Sequence, residues 1–595
     1  MGQVLADGMG KLTAAEAEHL IRDEQKNGNL YASKLGEQNA WTTKDADKQE
    51  RRIHQAVDAG RGAVQSLFSA QKIEDELKDT TLGTGQKDAV KLMLNGSDQF
   101  VGVLGRPGTG KTFMLNKARE LYEKQGYTMI GMASNAEAAR QIADSADVEA
   151  KTLARHLIDG GKEIYRRKNE LTDAQRLKER DETRQVWVVD ESSQVNNRDL
   201  SRLASMARTL GARVVFVGDP QQLGAIEAGK PFTRMLDTGL RHVELDDIRR
   251  QSKSEHISAI RSVIKGDVSS AMKTLSEQTK EVTDESSRLK SIVDQWSKLE
   301  DREKAMVIPS RKATKDMLND QMRDVLRKEG KLNGELSTEQ LAPVFSSRAD
   351  LKLSSTYSVG DIVRFNQDAK RLGVKNGDYW KVAETDFKTN TVRLENGERS
   401  IDWDPRKVGT GLKQSAQLFR ERESSVANGE AIVWSRNNSD LGLRNGQCLT
   451  VTTREGNTMT VRSEDGRTVN LDLARPDHKH WEHGYASTVY KSQGKTSQDV
   501  LVHAPTTDKE LLSQKAFLVA ISRQKENITI VTDDREKLER NVKENLGEKT
   551  SALEGRSTLS EWSEVKEAFL KAEQKDHSEQ EKQDRQIPIE KEASR

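Results

Sequence analysis

The sequence predicts an α/β protein with two parallel-sheet domains, a duplicated small β-barrel insertion in the second of them, and a helical N-terminal region. Three observations lead there. Short apolar runs, FVGVL at 100–104, MIGM at 129–132, VWVV at 186–189 and VVFV at 214–217, are each followed by a helical pattern. Runs this short and continuous suit strands buried on both faces of a parallel sheet. A second set, AMVI at 305–308, VLV at 500–502 and ITIV at 528–531, comes with helical segments near 313–328 and 511–522, which implies a second domain of the same class. Between the parts of that second set lies an internal repeat at an offset of 69 residues, from Gly360 to Gly429. GDIV at 360–363 matches GEAI at 429–432, LGVKNG at 372–377 matches LGLRNG at 441–446, and TVR at 391–393 matches TVR at 460–462.

Each copy sets Asn-Gly or Asp-Gly between short β-rich runs, the composition of a small antiparallel barrel, so two SH3-like barrels are expected. Residues 11–80 are rich in Ala, Glu, Lys and Gln with scattered Leu and Ile, which suits short helices. The expected divisions are 1–80 for the helical region, 81–245 for the first α/β domain, 246–340 with 480–545 for the second, 341–479 for the insertion, and 546–595 for a charged tail. A chain of 595 residues fits about four units, at ~150 residues each. Near its end EQKDHSEQEKQDRQ has almost nothing apolar to bury, and a frayed, solubilising segment is expected there.

Composition narrows the class. With 34% hydrophobic and 32% charged residues, the chain can fill several modest cores beneath an ion-rich surface. No run approaches the ~20 apolar residues of a membrane span, and MGQVLADGMGKLTAAEAEHL carries no secretory pattern, so a cytoplasmic location without membrane insertion is expected. Cys448 is the only cysteine, which excludes an intrachain disulfide and a cysteine-built metal cluster. Lys plus Arg (96) balance Asp plus Glu (95), so any groove for a polyanion must be locally basic.

The chemistry concentrates after the predicted strands. Gly105-Arg106-Pro107-Gly108-Thr109-Gly110-Lys111-Thr112 fits G-x-x-x-x-G-K-[ST], follows a strand and opens a helix. Glycines there let backbone N–H groups and a helix N-terminus face phosphate oxygens. Lys111 would add charge at the β and γ phosphates, and Thr112 would ligate Mg²⁺. The run ending at Val189 leads into Asp190-Glu191-Ser192-Ser193. Asp190 would hold Mg²⁺, and Glu191 would take a proton from the attacking water, a contribution of ~10²–10⁴-fold. The next strand ends in GDPQQL at 218–223, which would bring the amide of Gln222 near the third phosphate.

This set, with Gln86 in LGTGQKDAV, Arg250-Gln251, YASTVYKSQGKT at 485–496 and FLVAISRQK at 517–525, resembles superfamily-one helicases of the RecD-like branch. It is most similar to the helicase half of conjugative relaxases of the TraI and TrwC type, over about 80–540. The resemblance implies two RecA-like domains, with Gln86 recognising adenine and Arg250 and Arg523 reaching the phosphates from the second domain. Nucleic acid would be met by Ser134, Asn135, Thr152, Thr488, Lys491, Ser492 and Gln493, whose hydroxyl, amide and ammonium groups suit phosphate contact without base readout. The barrels would either brace the second domain or touch the strand. Trp380, Trp403 and Trp434 are read as barrel core rather than as base-stacking platforms.

Three positions depart from the family pattern: Ser134-Asn135 stands where Pro-Thr is common, Tyr490 where His is usual, and Arg249 where an aromatic often precedes the arginine. The family's N-terminal nuclease is expected to be absent, since the first 85 residues hold only His19, His54 and Tyr31 of the types it needs. His478, His480 and His483 lack adjacent ligands and are not read as a metal site. The charged stretch 157–185 suits either a duplex-splitting wedge or a solvated helical hairpin. The reading is therefore an ATP- and Mg²⁺-dependent motor, monomeric, working on single-stranded DNA and duplex junctions in the 5′-to-3′ direction. Its expected partners are conjugation or type IV secretion proteins. The alternative is an ATP-switched DNA-binding or delivery factor that does not unwind.

Overall fold

The computed structural model describes residues 13–35, 38–225, 227, 229–344, 346, 350–407, 416–508, 512–549 and 551–553. The frayed segment expected near 565–595 lies outside them. No helix among the described residues is long and apolar enough to cross a membrane.

The N-terminal region opens with a helix, Ala14–Lys26, started by a capping box between Thr13 and Glu16. It then departs from the helical expectation: β1 (Leu30–Leu35) and β2 (Gln38–Thr43) form an antiparallel hairpin. The strand-prone residues Tyr31, Trp41, Thr42 and Thr43 are diluted among Ala, Lys and Gln, so average composition favours helix. Strand formation depends on pairing, which composition does not record. The helix Lys44–Ala59 packs Ile53, Ala56 and Val57 into the core of the first sheet.

That sheet contains β3 (Phe100–Gly105), β4 (Thr128–Ala133), β5 (Glu149–Thr152), β6 (Gln185–Val189), β7 (Arg213–Gly218) and β8 (His242–Leu245), in the order β5-β4-β6-β7-β3-β8. All its pairs are parallel. Successive side chains leave a strand on opposite faces. Val101, Val103, Val186, Val188, Val215 and Val217 accordingly enter one core. Phe100, Leu104, Trp187, Val189, Val214 and Phe216 enter the other. Because β6, β7 and β3 are adjacent and parallel, the loops after them share one edge, and that edge carries the site.

The stretch 157–185 is the crossover from β5 to β6. Both strands run the same way, so the helices Leu153–Glu170 and Asp173–Asp181 must carry the chain back to the opposite edge. A side chain on Gly160 would collide with Met206, and one on Gly211 with the Arg180 carbonyl. Thr183 donates to the Leu210 carbonyl at 2.8 Å, just before β7 begins. The hairpin's C-terminal end is thus fixed at the sheet edge opposite the phosphate loop.

The second sheet begins with β9 (Thr279–Glu281) and β10 (Met306–Ile308), after which the chain leaves for the insertion. The first repeat supplies β12 (Ile362–Phe365), β13 (Tyr379–Asp386), β14 (Thr391–Asn396) and β15 (Arg399–Trp403), preceded by β11 (Asn333–Pro343) and followed by β16 (Ala416–Asn428). These pair in the order β11-β16-β12-β13-β14-β15. The second repeat supplies β17 (Ala431–Trp434), β18 (Cys448–Glu455), β19 (Thr458–Ser463), β20 (Thr468–Asp472) and β21 (Trp481–His483), ordered β20-β19-β18-β17-β21. Both sheets are antiparallel.

The duplication extends to irregularities. Register shifts occur at Val382/Glu384 and at Val451/Thr453, and isolated bridges join Ala369 to Val374 and Asn438 to Leu443. The equivalent acids Asp361 and Glu430 are both buried. Asp361 pairs with Arg420 at 2.9 Å, whereas Glu430 pairs with Arg323 at 3.0 Å and so ties the second copy to the helix Lys312–Lys328. Trp380, Trp403 and Trp434 are buried core residues.

The chain then returns through β22 (Ser497–His503) and β23 (Gln524–Thr532), completing an all-parallel sheet ordered β10-β22-β23-β9. Val500, Val502, Ile528 and Ile530 face one core; Val307, Leu501 and Val531 face the other. The last described segment folds back on the N-terminal region. The buried Glu50 carboxylate accepts from Ser551 Oγ (2.7 Å), from the N–H groups of Ala552 and Leu553 (3.0 Å each) and from Asn197 Nδ2 (2.8 Å).

Candidate nucleotide site and strand-facing edge

The phosphate loop joins β3 to the helix Lys111–Lys124. Its turn requires left-handed backbone at Gly108 (φ +78°) and Gly110 (φ +73°). Thr109 Oγ1 donates to the Arg106 carbonyl at 2.9 Å and stiffens the turn. Lys111 Nζ lies 3.5 Å from the Gly105 carbonyl. Pro107 needs no backbone donor in this loop, and Thr112 stands exposed in the first turn of the helix. From the far side the segment leading to the second sheet closes over the loop: Arg249 N–H donates to the Gly108 carbonyl at 2.8 Å. A Cβ on Gly108 would lie 2.5 Å from the Arg250 Cβ. Gly108→Ala should therefore weaken ATP binding ~10-fold or more, because left-handed backbone alone costs a residue with a side chain ~1–2 kcal/mol. Titration with a fluorescent ATP analogue measures it, and unchanged affinity would show that the loop yields there.

Gln86 lies against the phosphate loop. Its Oε1 accepts from the Gly83 N–H at 3.0 Å, and its Nε2 donates to the carbonyls of Thr109 (2.9 Å) and Gly110 (3.1 Å). Both ends of the buried amide are thus engaged beneath the phosphate loop. The sequence placed it near the nucleotide but could not tell which surface it would grip.

Asp190 and Glu191 follow β6 at the same edge. Asp190 N–H donates to the Met132 carbonyl and Glu191 N–H to Asp190 Oδ1, each at 2.9 Å. Glu191 has φ +50°, a left-handed conformation that costs a residue with a side chain ~1–3 kcal/mol and is retained where surrounding contacts enforce it. Burial pushes the Asp190 carboxyl above its ordinary range; Lys111 opposes the shift and Glu191 adds to it. Asp190 and Glu191 place two carboxylates together beside Lys111 of the phosphate loop, hard-oxygen donors of the kind that fit Mg²⁺.

Across the cleft, the amide of Gln222 joins the segment after β7 to that before β23. Gln222 Nε2 donates to Asp219 Oδ2 at 3.1 Å, and Gln222 Oε1 accepts from Arg523 at 3.2 Å. Arg523 also donates to the carbonyls of Val519 (2.9 Å) and Lys495 (3.2 Å). Burial, with neighbouring Arg250 acting the same way, pulls its guanidinium down to about 9. Arg250 donates to the Ser522 carbonyl at 2.9 Å, and burial lowers it too, against the pull of Glu191. Two poorly solvated cations thus face the phosphate loop and two carboxylates. Sequence reasoning missed Asp219 and Arg106, which pair at 3.0 Å. Asp219 was visible as the acid directly after β7; Arg106 filled an unspecified place in its motif and gave no signal.

The predicted strand contacts fall at the same edge but differ in availability. Ser134 Oγ donates to Gln194 at 3.0 Å, one turn of backbone beyond Glu191. Asn135 caps the helix Ala136–Ala146, and Thr152 caps Leu153–Glu170, each through its side-chain oxygen. Thr488 is the N-cap of the short helix Val489–Ser492, and Lys491 pairs with Glu482. Ser492 and Gln493 are placed differently. The Ser492 hydroxyl is fully buried and donates to Val489, so it is removed from the strand surface. Gln493 turns to the nucleotide side, where its Nε2 donates to Glu191 at 3.3 Å. His478, His480 and His483 point to different partners: the Asp472 N–H, the Tyr379 hydroxyl and the Ser425 carbonyl.

Residues 81–284 match the family described as AAA domain. A conjugal transfer protein TraA of Rhizobium radiobacter is 25% identical over 456 residues, covering 76% of this chain and 32% of its own length. The multifunctional conjugation protein TraI of Escherichia coli (strain K12) is 24% identical over 542 residues, covering 82% of this chain and 29% of its own. The chain spans about a third or less of the length of these curated relatives. Among solved structures, Bacteroides Pif1 bound to single-stranded DNA aligns with 77% of this chain and 94% of its own at 18% identity and a TM-score of 0.41. The protein thus carries an AAA domain at residues 81–284 and is related in sequence to the conjugal transfer proteins TraA and TraI.

Proposed function

We propose that this chain is a DNA-dependent ATPase that moves along single-stranded DNA in the 5′-to-3′ direction and parts duplex at junctions, in the service of conjugative transfer. The observation that carries the reading is the hydrogen bond from Arg523 of the second sheet to Gln222 of the first, beside the phosphate loop. A nucleotide whose outer phosphate is gripped from both sheets makes hydrolysis and domain movement one event. The motor would comprise RecA-like domains at 81–245 and at 246–340 with 480–545. The insertion at 341–479 would form two SH3-like modules; just past that boundary, β21 pairs back onto β17, the first strand of the second repeat.

In this scheme the phosphate loop and Lys111 hold the triphosphate, with Gly105, Pro107, Gly108, Thr109 and Gly110 shaping the loop. Thr112 and Asp190 would hold Mg²⁺, which when bound would neutralise charge on the phosphate oxygens. Glu191 takes a proton from water as its oxygen attacks the γ-phosphorus; the bond to the β,γ-bridging oxygen breaks, and ADP leaves. Gln222, Arg250 and Arg523 answer the charge that grows on the γ-phosphoryl oxygens. Gln493 links this chemistry to the strand, because it adjoins the edge carrying Thr488 and Lys491 while bonding Glu191. Ser134, Asn135 and Thr152 line the same edge of the first domain.

A strand-displacement assay with ATP, on duplexes bearing only a 5′ or only a 3′ overhang, tests the reading. Displacement confined to the 5′ overhang is expected. ATP hydrolysis without displacement from either would instead favour a nucleotide switch.

A further inference from the structure

We infer that Arg106, a variable place in the phosphate-loop motif, is a positioning residue that sets the cross-cleft contact and so couples the loop to the second domain; the inference rests on the proposed ATPase. The arrangement is a continuous chain of polar contacts. Arg106 donates to Asp219 Oδ1 at 3.0 Å, Asp219 Oδ2 accepts from Gln222 Nε2 at 3.1 Å, and Gln222 Oε1 accepts from Arg523 at 3.2 Å.

Each link fixes the next. An amide has a donor end and an acceptor end, and the bond from Gln222 Nε2 to Asp219 holds the amide with its oxygen toward Arg523. Asp219 is that partner, and its side chain is wholly inaccessible, so a cation must accompany it. The Gln221 N–H donates to Asp219 Oδ1 at 3.0 Å but carries no charge. Arg106, 13% exposed, provides the charge, while the more exposed Glu244 sits 3.7 Å from its other amino group. Arg106 also belongs to the loop itself, its carbonyl receiving the Thr109 hydroxyl. Movement of the loop on nucleotide binding is therefore transmitted through a buried carboxylate and an oriented amide to Arg523.

The test is steady-state ATPase of the whole chain with a saturating single-stranded oligonucleotide, for Arg106→Ala, Arg106→Lys, Gln222→Ala and the double substitution Arg106→Ala/Gln222→Ala. Outer partners that orient metal ligands contribute ~10–100-fold in activity; by analogy Arg106→Ala should lower kcat by about that factor with KM for ATP changed less than about threefold. Arg106→Lys keeps the charge and should recover part of the loss. In the Gln222→Ala background, removal of Arg106 should cost little more, because both act through one contact.

If Arg106→Ala retains wild-type kcat, loses activity only through KM, or costs as much without Gln222 as with it, the inference is overturned. A wild-type chain that shows no DNA-stimulated hydrolysis overturns the proposed function, and this inference with it.

Discussion

Glu191→Gln is expected to lower the DNA-stimulated ATPase rate by ~10²–10⁴-fold, the range that a positioned general base contributes, while ATP still binds. The substitution is nearly isosteric. The amide oxygen can still accept from Gln493, which donates to Glu191 at 3.3 Å in the native chain, so the link to the strand edge is kept. The left-handed backbone at residue 191 is equally demanding for either side chain, so no new strain is introduced. What disappears is the capacity to take a proton from water. A negative charge also leaves the neighbourhood of Asp190, whose carboxyl burial and Glu191 both push upward. Metal and nucleotide binding should therefore be preserved, and binding of a fluorescent ATP analogue should stay within a few-fold of wild type. Parallel measurement of phosphate release and analogue binding separates the two effects. A release rate within threefold of wild type would remove Glu191 as the base.

Much of this architecture could be read from the chain because its strands are buried on both faces. VWVV and VVFV have no alternation to misread, and in the folded chain Val186 and Val188 enter one core while Trp187 enters the other. The repeat was equally legible, since its turns are written in Asn-Gly and Asp-Gly and survive at a constant offset. The β1–β2 hairpin was not, for its strand-forming residues are few and spread among helix-favouring ones.

At the site, motifs located groups but not their orientation. Gln86 was placed beside the nucleotide, yet its amide turns inward to the Thr109 and Gly110 carbonyls. Ser492 and Gln493 are adjacent in a strand-contact motif, yet one is buried and the other reaches Glu191. Such choices depend on which neighbour offers a complementary donor or acceptor, and those neighbours lie anywhere from one turn to hundreds of residues away. Arg106 is the extreme case: its motif leaves the position unspecified, and only the juxtaposition of β3 with β7 supplies Asp219.

Arg523→Ala should produce the largest loss, ~10³–10⁵-fold in kcat, the range of arginines that enter a phosphoryl-transfer site from another domain. The side chain is fully buried and held by the carbonyls of Val519 and Lys495 as well as by Gln222. Its position is thus set before nucleotide arrives, and little reorganisation is needed when charge develops on the γ-phosphoryl oxygens. Burial, with Arg250 beside it, leaves the cation poorly solvated, pulled down to about 9, so a polyanion entering the cleft relieves a cost already present. Arg523→Lys is the informative companion. A lysine keeps the charge but has three donors in place of a planar fork, and it cannot span Gln222 and both carbonyls in the same geometry. It should therefore recover less than a tenth of the wild-type rate, although its ATP affinity should stay near normal. If lysine restores full turnover, charge alone is sufficient and the cross-cleft hydrogen bond has no part in timing. If both variants hydrolyse ATP at the wild-type rate but no longer displace a strand, Arg523 couples movement without assisting chemistry. Measuring kcat and strand displacement on the same preparations distinguishes these outcomes.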